Sequence, residues 1–109
     1  MAWLLRDGEV LASLEVASSR AARTRGLLGL DGFEGALLIE RTRSVHSLGM
    51  RFPIDVAFCN AELEVLRTIR VRPNRLPQPV LRARHVIEAE AGMFARWGLC
   101  PGDLLEVRS

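Results

Sequence analysis

Ile54-Asp55-Val56-Ala57-Phe58-Cys59, followed by Asn60-Ala61 and then Glu62 to Arg72, decides the fold. Ile54, Val56 and Phe58 alternate with Asp55, Ala57 and Cys59, the period-two pattern of a β-strand. Asn60-Ala61 turns the chain, and Glu62 to Arg72 reads as the antiparallel partner, with Leu63, Val65, Ile69 and Val71 on one face. Arg67 interrupts that face. Either a bulge near Thr68 resets the register or Arg67 points inward, and the bulge is the expected solution.

Outward from this hairpin the pattern stays β-rich. Trp3 to Arg6, Asp7-Gly8 and Glu9 to Val16 form a second hairpin, because Asp-Gly tolerates the positive φ angles of a type I′ turn. Val10, Ala12, Leu14 and Val16 are expected on one face. Ser18 or Ser19 caps a helix running to about Leu28, stopped at Gly29. Its inner stripe is Ala17, Ala21, Thr24 and Leu28, with Arg20 and Arg23 facing solvent. Ala36 to Glu40 is a short buried strand, and Ser44 to Met50 is expected to extend. Pro73 to Pro79 holds three prolines and reads as an exposed loop. Arg84 to Glu90 is a strand, Gly92 to Trp97 a short helix, Pro101-Gly102 a turn and Leu104 to Val107 the last strand. The predicted fold is α+β: a mainly antiparallel, barrel-like or sandwich sheet with two short helices.

The 109 residues fit a single domain, 1–109, able to build one core without staples. At 49% hydrophobic and 26% charged residues, the composition argues against disorder. No apolar run reaches membrane-spanning length, and no leader precedes the first strand, so the expected location is the cytoplasm. All fifteen basic residues are arginines. Six of them (Arg67, Arg70, Arg72, Arg75, Arg82 and Arg84) fall in Val65 to Ile87, which contains no acid. The other nine stand against all thirteen acids, a balance of −4, so the overall +2 is unevenly placed.

Three ordered blocks carry a family resemblance. They are Arg23-Thr24-Arg25-Gly26-Leu27-Leu28-Gly29, then Val45-His46-Ser47-Leu48-Gly49-Met50-Arg51-Phe52-Pro53-Ile54-Asp55-Val56-Ala57-Phe58, and finally Ala91-Gly92 with Trp97-Gly98-Leu99-Cys100-Pro101-Gly102-Asp103. In this order they resemble the family known as domain of unknown function 192, over about residues 10 to 107. The resemblance implies the fold and no chemistry, since the family has no established activity. Members often carry Trp-Met-Lys-Asn-Thr where this chain has Leu48-Gly49-Met50-Arg51-Phe52. Only Met50, Pro53 and Asp55 match well there.

The candidate ligand site is His46, Met50, Arg51 and Asp55, with Arg72 and Arg75 on its rim. A histidine, an arginine and a carboxylate beside an apolar wall suit a small polar or anionic ligand. In an extended Ser44–Met50, His46, Leu48 and Met50 would share a face. The competing reading makes Asp55 a partner for backbone donors or an arginine, and His46 an ordinary half-buried side chain. Metal is not expected: His46, His85, Cys59 and Cys100 have no ligand spacing. No cofactor motif is present; Gly26-x-x-Gly29 ends a helix, whereas a phosphate cradle opens one.

The leading functional expectation is a non-catalytic domain that binds a ligand or a protein partner. A second is a small hydrolase-like enzyme using His46 and Asp55, which requires the two side chains to meet in a cleft. A third is anion or nucleic-acid binding through the arginine-rich segment 67–84. Nucleic acid is disfavoured, because no aromatic residue interleaves the arginines for base stacking. The plainer reading of that segment is a solvated face paired with Glu62, Glu64, Glu88 and Glu90.

Overall fold

The structure, a computed structural model, describes residues 1–109. Its elements are β1 (Ala2–Arg6), β2 (Glu9–Ala17), α1 (Arg20–Arg25), β3 (Ala36–Glu40), β4 (Ile54–Cys59), β5 (Val65–Val71), β6 (His85–Glu90), α2 (Met93–Trp97) and β7 (Leu105–Arg108). The strands form one seven-stranded sheet in the order β5-β4-β6-β3-β2-β1-β7. Only β2 and β3 run parallel; every other pair is antiparallel. The sheet curls into a half-barrel, so the barrel-like expectation holds and the sandwich does not. No helix is long and apolar enough to cross a membrane.

Both faces of the sheet are covered. One core contains Leu27, Ile39, Val45, Met50, Ile54, Val56 and Phe58. The other contains Leu14, Leu38, Ala57, Cys59, Ile87, Ala89 and Phe94. The strands β3, β4 and β6 sit in the middle and contribute to both. All six residues of β4 are buried, and all but Asp55 are apolar.

Two bulges correct the predicted strand faces. In β5, Phe58 pairs with Arg67 and Cys59 with Val65, so Leu66 is the extra residue. The bulge therefore lies at Leu66 rather than Thr68, and it moves Val65 to the face opposite Ile69 and Val71. Arg67 stays exposed. In β2, Leu4 pairs with Ala12 and Leu5 with Val10, leaving Leu11 as the extra residue. Val10 and Val16 are exposed, while Leu14 enters one core and Ala17 the other. The turn between β1 and β2 is Asp7-Gly8, both with positive φ, as the type I′ reading requires.

The first helix is shorter than its sequence pattern predicts. Ser19 caps it by accepting from the Ala22 N–H, and the chain leaves the helix at Gly26, not Gly29. Ala22, Leu27 and Leu28 pack on the core, and Ala21 is exposed. The short α2 follows its pattern, entering at Gly92 and ending at a left-handed Gly98.

Ser44 to Met50 is not a strand. It is an irregular segment tied to the proline loop by a fully buried Ser47. The Ser47 hydroxyl accepts from the Arg75 N–H at 2.8 Å and donates to the Arg72 carbonyl, while the Ser47 carbonyl accepts from the Asn74 and Met50 N–H groups. These bonds replace a sheet ladder. They bury Val45 and Met50 and leave His46 and Leu48 exposed. Ser47→Ala strands a buried donor and acceptor, so it should cost about 2–3 kcal/mol in urea unfolding. A loss below about 0.5 kcal/mol would mean the segment is held by something else.

Candidate functional site

The six residues singled out from the sequence fall in four places. Asp55, on β4, lies on the face that packs against α2. Its Oδ2 accepts from the Gly92 and Phe94 N–H groups at 2.9 and 3.1 Å, and its Oδ1 from Arg70 Nε at 3.1 Å. The helix has no side-chain cap of its own, so Asp55 caps it from a neighbouring strand. His46 lies on the other side of the sheet, with Val45 and Met50. The hydrolase reading needs His46 and Asp55 in contact, and the fold keeps them on opposite faces.

Arg51 pairs with Asp31 at 2.7 Å, both well exposed, an arrangement that stabilises little. Arg72 and Arg75 line a shallow groove with Ile69, Leu76 and Pro77 at the end of β5. Arg84 lines a different hollow, with Arg41, Arg43 and His85. The arginines of the 67–84 segment therefore do not form one surface. None of them pairs with Glu62, Glu64, Glu88 or Glu90; the one ion pair of the segment is Arg70 with Asp55.

His46 and Met50 do come together, in a pocket of about 340 Å³ between α1 and the 41–50 segment. Leu27, Leu28, Ile39, Val45 and Met50 form its apolar lining. Arg20, Arg23, Arg25 and Arg41 supply cations, and Thr24, Thr42, Ser44 and His46 supply hydrogen-bonding groups. None of the four arginines forms an ion pair. Arg23 reaches only the Glu40 carbonyl, at 3.5 Å, and Arg41 the Ser18 carbonyl, at 3.3 Å. Four guanidinium groups with unmatched charge, above an apolar lining, suit an anion.

Neither the four arginines nor Glu88 stood among the site residues read from the sequence. Glu88, in the middle of β6, is 4% exposed and lines the pocket. Burial pushes its carboxyl up to about 7, and no hydrogen bond or cation of the chain offsets that shift. Its Oε1 lies 3.4 Å from where a Cβ at Gly26 would stand, so the bare backbone of Gly26 leaves room above it. Glu88 sits in Val86-Ile87-Glu88-Ala89, an otherwise apolar stretch of a strand buried on both faces. That setting is the signal that could have found it, because a carboxyl there cannot be a solvated ion-pair partner. No group of three or more His, Cys, Asp or Glu side chains gathers to hold a metal ion; Cys59 is buried and Cys100 exposed.

The two buried carboxyls should respond oppositely to mutation. Asp55→Ala removes three accepted hydrogen bonds and should destabilise by about 3 kcal/mol in urea unfolding. A loss under about 1 kcal/mol would contradict its capping role. For Glu88 the folded-state value is raised above the ordinary one, so its contribution is favourable below about pH 4.5 and is lost as pH rises to about 7. Glu88→Gln should therefore be more stable than the wild type above pH 7, by at most about 3 kcal/mol, and close to it in acid. A stability difference that does not change with pH would contradict the burial of an ionisable Glu88.

Residues 2–107 match the sequence profile of DUF192, described as uncharacterized ACR. A UPF0127 protein of Pyrococcus furiosus is 36% identical over 63 residues, covering 58% of this chain and 54% of that protein. The matched stretch thus spans about half of that relative's length. The crystal structure of a protein of unknown function from Novosphingobium aromaticivorans superposes with a TM-score of 0.81 at 22% identity, over 96% of this chain and 82% of that one. A second, from Sinorhizobium meliloti and named as a candidate transcription regulator, gives 0.76 at 23% identity over 97% and 91%. At such identities the likeness is one of fold. With a profile match over nearly its whole length and the curled seven-stranded sheet shared with these structures, the chain belongs to the DUF192 family of uncharacterised proteins.

Proposed function

We propose that this protein is a binding domain for a small anionic ligand, held in the pocket between α1 and the 41–50 segment. The observation that carries this reading is the set of four arginines, Arg20, Arg23, Arg25 and Arg41, that line one pocket without a carboxylate partner. Guanidinium groups bind carboxylate, sulfate and phosphate oxygens through paired N–H donors. His46, Thr24, Thr42 and Ser44 add hydrogen-bonding groups, and Met50 with Val45 and Leu27 gives an apolar wall for the body of the ligand. His46 Nδ1 accepts from the Leu48 N–H and Thr24 donates to the Arg20 carbonyl, so no hydroxyl of the pocket is bonded to the histidine as an activated nucleophile would be, and binding explains the pocket better than a covalent mechanism.

The reading retains His46 and Met50 from the sequence-derived site and replaces Arg51, Asp55, Arg72 and Arg75 with the four pocket arginines. Isothermal titration with sulfate, inorganic phosphate and citrate checks it. At least one should bind the wild type, and the double variant Arg23→Ala, Arg41→Ala should weaken that binding about tenfold or more. The double variant Arg72→Ala, Arg75→Ala should bind as the wild type does. Binding lost through Arg72 and Arg75 instead, or no binding by any of the three anions, would overturn the proposal.

A further inference from the structure

Glu88 poses a question that the arginines alone do not answer. An anion pocket lined by guanidinium groups has at its base a carboxyl group, which repels an anion when ionised. Glu88 is 4% exposed, its carboxyl opens onto the cavity, and no group of the protein bonds to it. A carboxyl that opens onto a cavity without a partner in the protein is free to bond to whatever occupies that cavity.

From the anion-binding reading of the same pocket, on which this step rests, we infer that the anion enters together with a proton held on Glu88, whose neutral carboxyl donates a hydrogen bond to one of the anion's oxygens. Several observations support it. The strands on either side of Glu88 bring no charge to it: Leu37 of β3 and Val56 of β4 stand directly across in the ladder. Other residues of those strands on this face are Ile39, Ile54 and Phe58, all apolar. Helix α1 brings Arg20, Arg23 and Arg25 to the pocket, and the 41–50 segment brings Arg41 and His46. Along β6 itself, Glu90 is the next side chain on the same face and lies beside Gly32. An acid therefore adds to the repulsion, and no cation is seated on Glu88 to hold it ionised. Burial already makes the neutral form accessible near neutral pH. An arriving anion favours that form further, so binding and proton uptake are linked.

His46 lines the same pocket, and variants at both positions separate their contributions. Sulfate is the probe, since it does not itself titrate between about pH 6 and pH 8.5. Its affinity for wild type should fall about thirtyfold over that range, the change expected for a requirement for one proton at a group near pH 7. Titrations near pH 8 in buffers of different ionisation enthalpy should report uptake of about one proton per sulfate. Glu88→Gln keeps a neutral donor at the same place. It should bind sulfate with little pH dependence above pH 7, and more tightly than wild type at pH 8.5. His46→Gln should retain the fall above pH 7. Sulfate binding that is independent of pH in wild type, or whose fall persists in Glu88→Gln, overturns the proton coupling and leaves the anion site standing. Absence of sulfate binding to wild type at every pH overturns the proton coupling, and the anion site falls with it when phosphate and citrate also fail to bind.

Discussion

A carboxyl group on a strand that is covered on both faces is largely stripped of water, and this constraint organises the molecule. The central strands β3, β4 and β6 are packed from both sides, so any acid placed on them must be matched by the protein or left to a ligand. Of the acids on these strands two are buried, Asp55 and Glu88, on adjacent strands and pointing to opposite faces. Asp55 meets two helix N–H groups and Arg70. Glu88 meets none of these things. The first carboxylate fastens α2 to the sheet, and the second is what makes the opposite face a site.

Around Glu88 the fold keeps a space open where a core would otherwise close. Helix α1 ends after two turns at Gly26, whose lack of a side chain leaves Glu88 accessible from the pocket. On the other wall, Ser47 is bonded to Arg72, Asn74 and Arg75 of the proline loop, which fixes the 41–50 segment without a strand ladder. That knot buries Val45 and Met50 as apolar lining while turning His46 outward to the rim. The polar lining is thus built from loop and helix-end positions, on a rigid sheet, as binding sites commonly are.

Local patterns made most of the elements legible. The alternation of Ile54 to Cys59, the Asp7-Gly8 turn and the glycines bracketing α2 each act over a few residues, and each reappears in the structure. The misplaced features depend on distant partners. The bulge at Leu66 is set by pairing with Phe58 and Cys59, and the loop at Ser44 to Met50 by hydrogen bonds to residues about 25 positions away. For the site the division is the same. His46 and Met50 are near in sequence and were recognisable together. Asp55 is equally near, but strand alternation sends it to the other face. Glu88 lies 42 residues from His46 and looks like one more surface acid until its strand is known to be covered on both sides.

The position of a bound anion tests the central claim most directly. Crystals soaked with selenate at about pH 6 would show the anion by its anomalous scattering. The expected result is a selenate within hydrogen-bond reach of the Glu88 carboxyl and of at least one of the four pocket arginines. A selenate seated instead against Arg72 and Arg75, with the pocket above Glu88 empty, would contradict it.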